Sequence, residues 1–452
     1  MAQQKHLIFL VHGLFGNSSH MSSNAEELRS QFATDNSVVV HIAKSNETLK
    51  TFDGIAIGAE RLFVELMDRI KQLLEENFVV KHISIVGYSL GGLFARYLIG
   101  MLESVGFFNK VTPVVYATFA TPHAGTYFHS QRFKARVLNA FGSRLLGLSG
   151  GDLFNSNKTL EELADPESRY ITGIKRFKKR VLFANAVHDR TVPFWTAYLS
   201  TKNPFRHLEH VQLQYYNHSL LVNCKNIRPF LVNMSKSVYN EAELHPPKLT
   251  RRDKITRAFF LMLLPIFLPV MLTVLTTGTI VARVKAIYYS VRPRPQDNAA
   301  LFNELSRQLT KTSHSNRVEG RRHSHPDLEP GSLAEGALEN MLELVEPQEG
   351  EEEEKDMKVS GVPKPALNGG FEGLLDGTKD ELGISPEVRR IIDNLNQLDW
   401  EKYTVALSHF NTHGEIMNRR CSNGQGQALQ KFFAHLVAET YKDVKRQVPA
   451  KI

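Results

Sequence analysis

At 452 residues the chain has room for three domains of roughly 150 residues, or for one enlarged α/β domain with tails. Its composition, 42% hydrophobic and 23% charged, excludes a wholly disordered chain and a multi-spanning membrane protein. Two cysteines, Cys224 and Cys421, exclude a disulfide framework and a cysteine-based metal site, and favour a reducing compartment. The net charge of +8 is unevenly placed, with an acidic run at Glu351 to Glu354 and a basic cluster from Lys248 to Arg257. Without zinc-finger spacing or an aromatic RNA-binding motif, that charge gives no support to nucleic-acid binding.

The first apolar run, Leu7 to Val11, is too short for the core of a signal peptide, so synthesis in the cytosol is expected. From residue 5 to 220 short β-branched runs alternate with helical patterns, which predicts an α/β fold with a mostly parallel sheet. Strands are expected at His6–His12, Val38–Ile42, Ile83–Val86, Pro113–Thr118 and Val181–Val187. All are near-continuously apolar, as a sheet covered on both faces requires. Val211 to Tyr216 is a further candidate. Between the second and third strands, Leu62, Leu66, Ile70 and Leu73 or Leu74 form the stripe of a crossover helix over Ile57–Leu74.

Ala258 to Ala282 carries no charge, enough for a helix of about 37 Å at about 1.5 Å per residue. Polar, Pro-, Gly- and Glu-rich sequence follows to about Ser385 and has the composition of a disordered linker. Structure is expected again at Pro386–Asp399, in a strand Tyr403–Leu407, and in a terminal amphipathic helix through Leu429, Phe432, Phe433, Leu436 and Val437. The expected organisation is a first α/β part (1–245), a basic-flanked hydrophobic membrane hairpin (246–294), a linker (295–385) and a part that completes the α/β fold (386–452).

Gly87-Tyr-Ser89-Leu-Gly91-Gly92 fits G-x-S-x-G between a strand and a helix, and resembles the nucleophile elbow of α/β-hydrolases. Small residues must flank such a serine because the strand and helix meet at a sharp turn. Gly147-Leu-Ser149-Gly-Gly151 also matches the bare pattern, but no strand precedes it, and Ser149 reads as loop. His12-Gly13-Leu14-Phe15-Gly16 ends the first strand and resembles the H-G oxyanion motif. The backbone N–H groups of Leu14 and Leu90 would meet the negative charge of a tetrahedral intermediate. His12, Gly13, Gly87 and Gly91 support that motif pair.

The acid should follow the serine at a strand end. Asp189 does so after Val181–Val187, whereas Asp165 lies in a polar loop. Two later histidines have a suitable setting. His218 follows the candidate strand at 211–216, and His413 follows the late strand and precedes the terminal helix; His413 is favoured.

His12-Gly-Leu-Phe-Gly, Gly-Tyr-Ser89-Leu-Gly-Gly, Ala120-Thr-Pro-His123-Ala-Gly125, Asp189-Arg-Thr-Val-Pro and Thr412-His413-Gly-Glu-Ile together resemble the fungal lipid-droplet phospholipase group of serine esterases and lipases, within the α/β-hydrolase superfamily. The resemblance covers residues 5–220 and 395–440. It implies an α/β-hydrolase fold, Ser89, Asp189 and His413 as triad, cleavage of glycerophospholipid acyl esters at a lipid-droplet surface, and a His123 that shapes the site. No metal or cofactor is required. A neutral acylglycerol lipase or a protein deacylase would use the same triad, and a non-catalytic hydrolase fold could tether to lipid.

Arg132, Lys134, Arg136 and Arg144, mixed with Leu138, Phe141, Leu145 and Leu146, would suit a cap touching anionic headgroups. Basic residues flank 258–282 on both sides, and Pro265, Pro269 and Gly278 favour a break within it. The expectation is a hairpin in a lipid-droplet monolayer or the endoplasmic reticulum membrane, with the catalytic part cytosolic.

Overall fold

The computed structural model describes residues 2–126, 146–154, 158–216, 227–239, 382–409, 411–420 and 424–447, together with Thr273, Thr276, Thr277 and Ile280. Apart from those four positions the expected hairpin lies outside the described residues, as do His218, most of the basic cap at 132–148 and the linker up to residue 381. The linker's expected last residues, Leu382–Ser385, are instead part of the fold, with Ile384 buried and Ser385 capping the helix that follows. No helix among the described residues is long and apolar enough to cross a membrane.

In chain order the elements are β1 (Gln3–Val11), α1 (Ser22–Gln31), β2 (Val38–Ile42), α2 (Ile55–Glu75), β3 (Phe78–Tyr88), α3 (Leu90–Ser104) and β4 (Thr112–Phe119). Next come α4 (Gly147–Leu153), α5 (Thr159–Leu163), α6 (Arg169–Lys175), β5 (Lys179–Asn185), α7 (Phe194–Tyr198), β6 (Val211–Gln212), β7 (Leu231–Val232) and β8 (Val238–Tyr239). The chain ends with α8 (Pro386–Asn396), β9 (Trp400–Val405), α9 (Thr412–Glu415) and α10 (Gln425–Gln447).

One seven-stranded sheet has the order β2-β1-β3-β4-β5-β9-β7, parallel except where β7 runs antiparallel to β9. This is an α/β-hydrolase-like architecture. Alternation along β1 explains its two covered faces. Leu7, Phe9 and Val11 join the core under α2 and α3, while Ile8 and Leu10 join the core under α1 and α10 with Phe432, Phe433 and Val437.

Several expectations need correction. β2 is half-buried at every position because it is the sheet's edge, not a strand buried on both sides. The late strand begins at Trp400 and ends at Val405, because it pairs from Arg180↔Trp400 to Asn185↔Val405 with β5. The candidate strand 211–216 is reduced to Val211–Gln212, paired with β8 outside the main sheet, with Tyr215 bridging to Val232. Ser149 lies in helix α4, not in a loop.

The chain moves from β1 outward to β2 and then returns to the other side of β1 at β3. The crevice therefore opens at the carboxyl ends of β1 and β3, where such sheets hold their sites. The register sets Val11 beside Gly87, and Tyr88 beside Phe119.

Candidate active site

Ser89 stands between β3 and α3 with φ 54° and ψ −131°, a conformation that only a surrounding structure can hold in a non-glycine residue. Its N–H donates to Phe119 O at 2.8 Å. The flanking glycines are steric requirements. A Cβ on Gly87 would lie 2.4 Å from Gly92 Cα, and one on Gly91 would lie 2.4 Å from His12 O and from Val11 O. The first strand thus runs hard against the start of α3, and a Cβ on Gly13 would lie 2.6 Å from Ser89 Cβ.

His413 Nε2 is 3.0 Å from Ser89 Oγ, and its Nδ1 is 3.0 Å from Asp189 Oδ2. A carboxylate only accepts, so Nδ1 carries the proton and Nε2 is left to accept from the serine hydroxyl. Asp189 is aimed by three further donors: the N–H groups of Thr191 (3.0 Å) and Val192 (2.8 Å) on Oδ1, and Asn185 Nδ2 (2.7 Å) on Oδ2. Both side chains are buried, with exposures of 6% and 3%.

The histidine loop is sewn to the aspartate loop across more than 200 residues of sequence. Thr412 Oγ1 donates to Val187 O at 2.7 Å, Thr412 N–H to His188 O at 3.2 Å, and Asn185 Nδ2 to Thr412 O at 3.3 Å. Asn411 accepts His413 N–H and so caps the short helix α9. Tyr88 OH donates to His413 O at 2.9 Å, with its ring 5.1 Å from the imidazole. The residue beside Ser89 therefore holds His413.

Gly16 N–H donates to Gly13 O at 3.2 Å, making a tight turn of residues 13–16 at the end of β1. Through Gly13 this turn abuts Ser89, with Leu14 on one side and Leu90, the first residue of α3, on the other. His12 itself is bound within the turn. It is buried, its Nδ1 meets Gly13 O at 3.1 Å, and burial pushes its pKa down to about 4, so it is a neutral part of the turn.

His123 is also buried. Its Nδ1 accepts from the guanidinium of Arg96, its Nε2 meets Thr118 Oγ1 at 3.0 Å, and burial holds its pKa well below the ordinary histidine value. It shapes the loop after β4 from beneath. Ser149 Oγ is enclosed, donating to Thr51 O at 2.5 Å and accepting from Gly54 N–H at 3.0 Å. Asp165 accepts the N–H of Glu167 in its own turn, apart from the Ser89 cluster. Among the described residues no group of three or more metal-ligating side chains is gathered.

Sequence reasoning missed Asn185, Tyr88 and Arg96. Tyr88 and Arg96 lie within the elbow segment itself, yet nothing in a bare motif says that the tyrosine reaches a histidine 325 positions later.

Residues 1–202 match the family described as "Putative serine esterase (DUF676)". Relatives include "Putative lipase ROG1" of Saccharomyces cerevisiae, 31% identical over 44% of this chain and 29% of its own length. Another is "Putative lipase C4A8.10" of Schizosaccharomyces pombe, 29% identical over 43% of this chain and 26% of its own. This chain thus spans less than a third of the curated relatives it matches. Among solved structures, phospholipase PlaB from Legionella pneumophila, in complex with thio-NAD, aligns over 42% of this chain and 41% of that one. Its identity is 12% and its TM-score 0.30, a likeness too slight to carry an inference.

Proposed function

We propose that this chain, of the serine esterase family in its first 202 residues, hydrolyses acyl esters of glycerophospholipids at a lipid surface through Ser89, His413 and Asp189. The observation that carries the reading is the unbroken path from Ser89 Oγ to His413 to Asp189, 3.0 Å at each step, at the carboxyl edge of a parallel sheet. His413 Nε2 takes the hydroxyl proton as Ser89 Oγ attacks the ester carbonyl carbon. Asp189 stabilises the imidazolium. The carbonyl oxygen becomes an oxyanion facing the N–H groups of Leu14 and Leu90. On collapse the C–O bond breaks, the imidazolium gives its proton to the departing alcohol, and an acyl-enzyme remains. Water then repeats the sequence, with His413 as base, and releases the fatty acid.

The lipid surface enters through the uncharged segment 258–282. Ser89 and Asp189 precede this segment and His413 follows it, so a single span would set a bilayer between groups that must lie at hydrogen-bond distance. A loop that enters one leaflet and returns leaves the triad whole and suits the monolayer of a lipid droplet or the cytosolic face of the endoplasmic reticulum.

The test is the purified full chain offered phospholipids, triacylglycerol and acyl-protein, alongside a fluorophosphonate probe. The reading expects fatty-acid release from phospholipid above the other two classes and labelling of Ser89, both lost in Ser89→Ala. Labelling that persists in Ser89→Ala would refute the nucleophile. Faster turnover of triacylglycerol or acyl-protein would refute the substrate class. A glycosylation tag near residue 320 should remain on the same side of microsomes as the N-terminus, and a lumenal tag would refute the loop.

A further inference from the structure

We propose that Thr51, backed by Ser149, is a positioning residue that holds the oxyanion turn in its working shape. The inference rests on the serine-hydrolase reading above and gives the second G-x-S-x-G match a role that is not nucleophilic.

The turn at residues 13–16 has a conformational problem. Its third residue, Phe15, has φ 52°, a left-handed value that glycine or asparagine ordinarily fills at that place in a turn closed by an i to i+3 bond. A phenylalanine stays there only where its surroundings over-determine it. Those surroundings are on one short stretch, the 3-10 turn Thr48–Phe52. Phe15 N–H donates to Thr51 Oγ1 at 2.8 Å, and Thr48 N–H donates to Gly16 O at 2.8 Å. The Thr51 hydroxyl in turn donates to Thr48 O at 2.7 Å, so its proton is used and its lone pair faces Phe15. The Phe15 and Phe52 rings meet edge to face at 6.0 Å.

Thr51 is itself gripped from behind. Its carbonyl accepts from Ser149 Oγ, Ser149 Oγ in turn accepts from Gly54 N–H, and Asp152 Oδ2 accepts Ile55 N–H at 2.7 Å. Thr51 and Ser149 are both 0% exposed. Helix α4 therefore serves as a remote cap for the start of α2 and as a clamp on the 3-10 turn.

The consequence for the site is geometric. Fixing Phe15 N–H fixes the plane of the Leu14–Phe15 peptide, and the Gly13–Gly16 bond fixes the other end of the turn. The orientation of Leu14 N–H is what remains, and it is set by these two restraints. Without the Thr51 acceptor the half-buried Phe15 N–H would lose its partner, and the turn would relax toward a negative φ at Phe15. Leu14 N–H would then swing off the position that the oxyanion must occupy.

The experiment compares the full-length wild type with Thr51→Val, which keeps the shape and loses the acceptor, and with Thr51→Ser, which keeps the acceptor. With a short-chain ester, Thr51→Val is expected to lower kcat about 10- to 100-fold, at or below the loss of one oxyanion donor, with KM within about twofold. Fluorophosphonate labelling of Ser89 should slow in parallel, because the phosphonyl oxygen needs the same hole. Thr51→Ser should recover kcat to within about threefold of wild type. Ser149→Ala, one step farther along the relay, should lower kcat several-fold without abolishing labelling, and it carries the test if Thr51→Val does not fold.

A folded Thr51→Val with wild-type kcat, or a Thr51→Ser as slow as Thr51→Val, would overturn the proposal while leaving the hydrolase reading intact. A wild type that neither hydrolyses esters nor labels at Ser89 would instead sink the hydrolase reading, and this inference with it.

Discussion

Replacing Gly13 by alanine adds a single methyl group at the point where the end of β1 touches Ser89, the proposed nucleophile. That methyl carbon would start 2.6 Å from Ser89 Cβ, 3.0 Å from Tyr88 O and 3.2 Å from Ser89 Oγ. Carbon atoms rest at about 3.5–4.0 Å, so roughly 1 Å of separation has to be found. Gly13 is not among the residues with positive φ, so an alanine is not strained by its backbone and the effect is steric alone. Neither neighbour yields easily. Ser89 is tied to Phe119 O through its N–H, and the turn is tied to Thr51 through Phe15 and to Thr48 through Gly16. The displacement is therefore shared between the nucleophile and the oxyanion turn, and a misplacement of about 1 Å costs on the order of 100-fold in rate. At about 1.36 kcal/mol per decade this amounts to ~2.7 kcal/mol of transition-state stabilisation. The assay is kcat/KM on a soluble nitrophenyl ester together with the rate of fluorophosphonate labelling, with a thermal melt to confirm the fold. A Gly13→Ala protein that turns over at the wild-type rate would refute the close approach of the turn to Ser89, and with it the placing of Leu14 in the hole.

Asp189→Asn should keep the fold but lower kcat by about 10⁴-fold, because the amide favours the imidazole tautomer whose Nε2 is protonated and cannot accept from Ser89; a loss below tenfold, measured on the same ester, would remove Asp189 from the triad. Stability should fall with acid. Burial lowers His6 to about 3 and His12 to about 4, so both bind protons more tightly in the unfolded chain. Their contribution is complete above the unfolded value of about 6.5 and is lost as pH falls toward the folded values, by about 2 kcal/mol each at pH 5. Burial lowers His82 and His123 as well, so urea unfolding at pH 7.5 and pH 5 measures the sum over all four histidines, and His6→Gln should remove its own share of about 2 kcal/mol from the difference. An equal pH dependence in His6→Gln would place the cause elsewhere.

The central strands and the elbow were legible because they are local. β1, β3, β4 and β5 announce themselves as continuous apolar runs, and Gly87 and Gly91 stand where only a strand meeting a helix would need them. The order Ser89, Asp189, His413 could be read for the same reason, since each follows a strand. What stayed hidden depends on partners distant in sequence. Val38–Ile42 looks as apolar as its neighbours, and only its place at the end of the sheet leaves it half-exposed. Ser149 reads as loop because no strand precedes it and the residues from Asp152 make a poor helix start, yet its hydroxyl is spent on Thr51 and Gly54 from a helix that tertiary contacts hold. Thr51 belongs to no pattern at all. Its role follows from the φ of Phe15, and a dihedral of that kind is not written in residue type.

The position of β9 between β5 and β7 has a bearing on how the chain comes to life on the ribosome. β5 is complete long before its neighbour exists, since Asp189 and His413 are 224 residues apart. At about 5–20 residues per second, that interval is roughly 10–45 s of synthesis. Throughout it the β5 edge stands open, and Ser89 has been made but has no His413 to meet. The uncharged segment 258–282 emerges within the same interval, so on the proposed reading contact with lipid would precede assembly of the triad. Such a timetable would keep the nascent chain chemically silent until its last strand is inserted, and it makes the open edge the step at which misfolding is to be sought.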